Sequence, residues 1–141
     1  MYLLDTNVIT ELRLAGTGRA DPQVETWLRQ QNVAELHVSV INLFEAEMGV
    51  CQLEWRDPVQ AQALRRSLGK VFLRAFGNRI LDITPQIATR AAAMHVPNPR
   101  AERDTWIAAT AIVHDLIVVT RNIADFSHAS VQIFNPWKGG V

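Results

Sequence analysis

The chain has 141 residues, 48% hydrophobic and 20% charged, which suits a fold that buries its own core without cross-links. Fourteen basic and fourteen acidic residues leave no formal net charge at pH 7, so no global field draws it to nucleic acid or an anionic membrane. The lone cysteine, Cys51, excludes an internal disulfide and a thiolate zinc site, and its apolar surroundings predict a buried, inert thiol.

Tyr2 to Leu4 reads as a short buried strand that stops at Asp5. A helix follows from about Asn7 to Leu14, ended by Gly16 and Gly18. Asp21 and Pro22 supply an N-cap and a first helical residue, after which Val24, Trp27 and Leu28 recur at helical spacing. Residues 35–39 predict a second strand, and Ser39 caps a helix from Val40 to about Trp55. Asp57 and Pro58 repeat the Asp-Pro start; Leu64, Leu68, Val71, Phe72 and Ala75 form an apolar stripe, and Gly77 is the expected stop. Residues 79–83 predict a third strand, and Thr84 and Pro85 open a helix carrying Ile87, Ala91 and Met94. A helix over 103–115 leads into 116–120, the most strand-like run of the chain, and 131–134 forms a last strand before Asn-Pro-Trp.

Strands alternate with helices, and the strands are continuous apolar runs. The expected architecture is therefore α/β, with a parallel sheet covered on both faces. No linker, repeat or low-complexity segment divides the chain, so one domain over 1–141 is expected. No signal peptide or membrane span is read, which makes a cytoplasmic location the default expectation.

Ligand sites in such sheets form beyond the carboxyl ends of the strands. Asp5 lies at one such end, Asp104 at the start of the helix before the fourth strand, and Asn122 and Asp125 just after that strand. Glu45 sits one turn from Ile41 and Met48 on an apolar stripe, where a lone carboxylate calls for a partner, a raised pKa or a cation. Taken singly, Asp5 and Asp104 read as N-caps, Asp125 as a turn residue, and Glu45 as either a snorkelling side chain or a site residue. Taken together they crowd one sheet edge, where carboxylates repel unless a cation separates them. All-oxygen donors without clustered His or Cys select a hard divalent ion, Mg²⁺ or Mn²⁺, whose commonest chemistry is on phosphate esters. The four histidines have no zinc-helix spacing, and no Ser-His-acid set, dinucleotide loop or phosphate-binding loop occurs. Twelve of the fourteen basic residues are Arg, a weak pointer to phosphate or carboxylate contacts. Trp106 reads as core packing or as a base-stacking platform.

The stretches "LLDTNVITEL", "SVINLFEAEMG" (39–49), "DTWIAATAIVHDLIVVTRNIADF" (104–126) and "IFNPW" (133–137) resemble, in order and over nearly the whole chain, the PIN-domain ribonuclease toxins of the VapC and FitB-like group. The resemblance implies a three-layer α/β/α PIN-like domain with a mostly parallel central sheet of four to five short strands. Matched position by position, Asp5, Glu45, Asp104 and Asp125 are the metal-binding and catalytic acids. Asn122 is the competing fourth position, and Thr6, Ser39 and Thr120 are small polar supports. Asn42 departs from the family, which often has Thr there, and Thr84 stands where FitB-like chains often carry Asp.

The resemblance further implies a Mg²⁺- or Mn²⁺-dependent endoribonuclease that cuts structured RNA such as tRNA or rRNA and so blocks translation. It implies a homodimer restrained by a cognate VapB-like antitoxin, the two forming a hetero-oligomer on DNA. Arg13, Arg100, Arg103 and Arg121 are candidate RNA contacts or ordinary surface arginines. Ile9, Leu12, Trp27 and Phe44 are candidates for an antitoxin groove or for the core. The rival readings are a catalytically silent PIN-like binding module for antitoxin or RNA, and an unrelated α/β domain whose acids merely cap helices.

Overall fold

The structure, a computed structural model, describes residues 1–138. Among them five strands form one sheet: β1 (Tyr2–Leu4), β2 (Leu36–Ser39), β3 (Ile80–Leu81), β4 (Ile117–Val119) and β5 (Ile133–Phe134). The spatial order is β3-β2-β1-β4-β5, and every pairing is parallel. The six α-helices are α1 (Thr6–Leu14), α2 (Pro22–Gln30), α3 (Val40–Arg56), α4 (Pro58–Gly69), α5 (Pro85–Ala93) and α6 (Glu102–His114).

Alternation along the strands explains both the continuous apolar runs and the layering. Leu4 and Val119 point into a core shared with Val8 and Ile9 of α1, Val24 and Leu28 of α2, and Phe72 and Phe76. Their neighbours Leu3 and Val118 point the other way, against Ile107, Ala108 and Ala111 of α6 and against Phe126. Behind α6, Ala109 meets Ile87 and Ala91 of α5. The sheet thus has helices on both faces, the three-layer α/β/α arrangement. None of the described helices is long and apolar enough to cross a membrane.

The expected helix starts are largely met. Asp21 accepts from the backbone N–H groups of Gln23 and Val24, Asp57 from Gln60, and Thr84 from Ile87, each followed by Pro in the first turn. The outer strands are shorter than expected, two residues each against 79–83 and 131–134, because each pairs on one side only. The helix after Pro58 does not stay α-helical: Lys70–Phe76 winds more widely, as a π-helix, before Gly77 at φ +44° ends it. That winding turns Val71, Phe72 and Phe76 onto the sheet.

The apolar candidates for a partner groove divide. Ile9 is core, Leu12 packs against it, and Trp27 is sandwiched between the rings of Tyr2 and Phe134, whereas Phe44 is exposed. Cys51 does not follow its apolar neighbours. It lies on the outer face of α3 with its thiol exposed, so the expectation of a buried thiol fails.

Candidate active site

The strand order reverses between β1 and β4: β2 and β3 continue to one side, β5 to the other. A crevice opens where loops leave such a switch point in opposite directions. Asp5 and Thr120 stand there, at the ends of the two adjoining strands.

Asp5 is 9% exposed and held from four directions. Its backbone N–H donates to the Val119 carbonyl, extending the ladder by one bond, and its carbonyl receives the Val8 and Ile9 N–H groups of α1. One carboxylate oxygen accepts from the Thr6 N–H at 2.8 Å. The other accepts from the Thr120 hydroxyl at 2.8 Å and from the Asn7 amide at 3.4 Å. Asp5 therefore caps α1 and also presents a carboxylate to the crevice. The two readings of this residue are compatible.

β2 ends in a second polar anchor. Ser39 caps α3 through the Ile41 N–H, while Asn42 accepts the Ser39 N–H at 2.8 Å. The Asn42 amide then donates to the Thr6 hydroxyl at 3.1 Å. Ser39, Asn42 and Thr120 are fully buried. This network joins the starts of α1 and α3 and fixes the turn of α3 that carries Glu45. Sequence reasoning passed over Asn42 as a family departure; its spacing from Ser39, three residues, is the signal of a capping box.

Asp5, Thr6, Asn7, Glu45, Asp104 and Asn122 line one cleft of about 1030 Å³, closed on other sides by Ile41, Phe44, Met48 and Trp106. Trp106 packs against the α5–α6 core and also borders the cleft. Asp104 is not an N-cap. Ala101 takes that position without a side-chain bond, and Asp104 is the third residue of α6. Asp125 sits in a one-turn 3₁₀ segment, Ile123–Phe126, exposed in an adjoining hollow that shares Asn122 with the main cleft.

The acids sense one another electrically. Burial pushes the Asp104 carboxyl up to about 6, helped by the charges of Asp125, Asp5 and Glu45, even though a helix N-terminus favours an anion. Asp5 and Glu45 are also raised, chiefly by burial; Thr120 and the Thr6 N–H oppose this at Asp5, and Arg103 opposes it at Glu45. Arg103, from the first turn of α6, stands 3.6 Å from Glu45. Of the other arginines near the acids, Arg121 lies over the Trp137 ring, the Arg100 N–H donates to His95, and Arg13 lines a separate hollow.

Carboxylates, hydroxyls and amides without thiolate or imidazole fit a hard divalent cation. Among the described residues no three acidic, His or Cys side chains converge closely enough to ligate one ion directly. Magnesium keeps several of its waters and takes only one or two carboxylates, so this wider spacing suits a hydrated ion.

Carboxylates lining a cleft at the switch point of a parallel α/β sheet define the class as an α/β domain with an acidic cleft. A family model described as "PIN domain" matches residues 2–131. The chain belongs to the PIN-domain family, in the group of VapC- and FitB-like toxins. Toxin FitB of Neisseria gonorrhoeae is 34% identical over 97% of this chain and 99% of its own length. VapC ribonuclease Y4jK of Sinorhizobium fredii is 29% identical over 98% and 99%. The solved structure of FitAB bound to an IR36 DNA fragment superposes with a TM-score of 0.83 at 32% identity, covering 97% of this chain and 96% of that one.

Proposed function

We propose that residues 1–141 form one PIN domain that acts as the metal-dependent endoribonuclease toxin of a type II toxin–antitoxin module. The observation that carries this reading is the gathering of Asp5, Glu45 and Asp104 in one cleft at the sheet's switch point. The ribonuclease name of one relative and the toxin name of another support it. Asp5 and Asp104 would hold Mg²⁺ or Mn²⁺ with Glu45 or Asp125. When bound, such an ion supplies positive charge to the phosphodiester and eases attack by water.

The chain's own groups do the remaining work. Glu45, its proton affinity raised by burial, accepts the proton of the attacking water, with Asp125 and Asn122 orienting that water. The water oxygen bonds to phosphorus in line, and the bond to the 3′ oxygen breaks, that oxygen taking its proton from solvent water. Thr6, Ser39 and Thr120 hold the acids in place through the hydrogen bonds described above. Structured RNA such as tRNA or rRNA is the proposed substrate.

The proposed partners are a cognate antitoxin, a second copy of the chain, and DNA through the antitoxin, as the DNA-bound FitAB complex suggests. The proposed location is the cytoplasm. The spacing of the acids beyond direct ligation favours one second reading, a module that binds antitoxin or RNA without cutting.

Incubation of total cellular RNA with antitoxin-free protein in Mg²⁺, Mn²⁺ or EDTA, beside Asp5→Asn and Asp104→Asn, separates the two. Discrete cuts that need metal and both acids are expected. Cuts that survive either substitution would sink the nuclease reading, and RNA binding without cuts would favour the silent module.

A further inference from the structure

Away from the cleft, a hollow of about 650 Å³ opens between α1, α4 and the π-wound segment. Its polar lining is Arg13, Thr17, Arg66, Ser67 and Lys70, over an apolar floor that includes Leu12 and Val71. No acid lines it. Among the described residues Arg13, Arg66 and Lys70 form no ion pair, whereas the neighbouring Arg65 is taken up by Glu47 and Glu54. Three cations are thus held together in a chain with no net charge.

This hollow is tied to the acidic cleft by α1. Thr6 and Thr10 line the cleft, and Arg13, three residues beyond Thr10, lines the hollow. Positions i, i+4 and i+7 share one helix face, so a polar stripe runs about 10 Å along α1 from the acids to the cations. A carboxylate cleft repels a polyanion, and cations must stand beside it for one to dock. Arg103 at the cleft is already opposed by Glu45, whereas the hollow, one helix face along from the cleft, gathers three cations that carry no such partner among the described residues.

We propose that Arg13, Arg66 and Lys70 form a phosphate-binding track that holds the RNA backbone to one side of the cut, independently of base sequence. This rests on the nuclease reading above and names how its substrate is gripped. Arg suits bidentate phosphate contact, Lys supplies a point charge, and Thr17 and Ser67 can donate hydroxyls to the same oxygens.

The test measures binding of hairpin RNAs of unrelated sequence to the Asp104→Asn protein in Mg²⁺ at stepped salt, with and without Arg66→Gln plus Lys70→Gln. Both residues are exposed, so the fold survives their change. The track requires affinity about tenfold lower and a log–log salt slope flatter by about 1.4 to 2, alike for every RNA. Arg90→Gln, exposed on α5 in the opposite layer, leaves both unchanged. Equal affinity and slope in the double variant overturn the track, as does a loss confined to one sequence or matched by Arg90→Gln. Binding of polyglutamate but not RNA also overturns it, by assigning the hollow to an acidic polypeptide. In the protein with intact acids, metal-dependent cutting whose kcat/KM ignores the double substitution sinks the track alone. Absence of cutting beside charge-dependent RNA binding sinks the nuclease reading alone.

Discussion

The hydroxyl of Thr120 donates a 2.8 Å hydrogen bond to Oδ2 of Asp5, joining two strand ends that lie 115 residues apart. Both side chains are buried, and the bond opposes the rise that burial imposes on the Asp5 carboxyl. Thr120→Val keeps the shape and removes the donor. It should cost about 1–3 kcal/mol in denaturant unfolding. The acid limb of the pH–rate profile should also move to higher pH. An unmoved limb would show that Asp5 does not depend on this bond.

Asp104 gives a sharper pH dependence. Its carboxyl is raised from 3.8 to about 6, so the folded state holds its proton more tightly than the unfolded chain does. In EDTA this group lets stability be highest below about pH 4, lowers it progressively up to about pH 6, and changes it no further above. Asp104→Asn should therefore raise the melting temperature in EDTA at pH 7.5 by roughly 2–5 °C and leave it unchanged near pH 4. Thermal scans across this range check it; destabilisation at pH 7.5 would contradict the crowding of charges.

Metal addition should act in the opposite direction on the same group. Mg²⁺ or Mn²⁺ bound only to the folded state must raise the parent's melting temperature, by an amount that grows with concentration. The gain should fade as pH drops through about 6, where Asp104 takes up its proton. It should be largely absent in Asp104→Asn. A metal response equal in both proteins places the ion elsewhere.

Asn42 is the least conspicuous member of the site and the one most exposed to loss. Asn42→Ala leaves the buried Ser39 N–H without an acceptor and frees the Thr6 hydroxyl. The expected cost is about 1–3 kcal/mol, read as a lower denaturant midpoint with an unchanged slope. Activity should fall beyond what stability explains, because α3 carries Glu45. Full activity at permissive temperature would make Asn42 a purely structural residue.

Cys51 offers a direct check of the helix faces. Its exposure predicts that a thiol reagent labels one equivalent of native, antitoxin-free protein without denaturant. Labelling that waits for unfolding would return the residue to the interior.

Much of this was legible in the sequence, for identifiable reasons. Continuous apolar strands alternating with helices announce a covered parallel sheet, and the Asp-Pro starts announce α2 and α4. Asp5 is legible because a buried strand seldom ends on an acid without cause. Other features depend on contacts between distant segments. The π-winding of Lys70–Phe76 satisfies the same apolar spacing as an α-helix, and only the demands of the sheet choose between them. Asp104 looks like a cap, but α6 begins two residues earlier, at Glu102 after an Ala N-cap. Cys51 shows that one residue's neighbours in sequence say little about which side of a helix it takes.

The position of β1 between β2 and β4 has a consequence for how the protein is made. β1 and β2 are made close together, yet β4, the other neighbour of β1, follows more than a hundred residues behind. Throughout that interval the nascent chain carries an open apolar strand edge, the kind of surface that chaperones shield. The acids straddle the same interval, Asp5 and Glu45 arriving first, Asp104 and Asp125 last. A chain cut short before Asp104 therefore lacks two of the four acids, and the site's acids come together only when β4 seats beside β1.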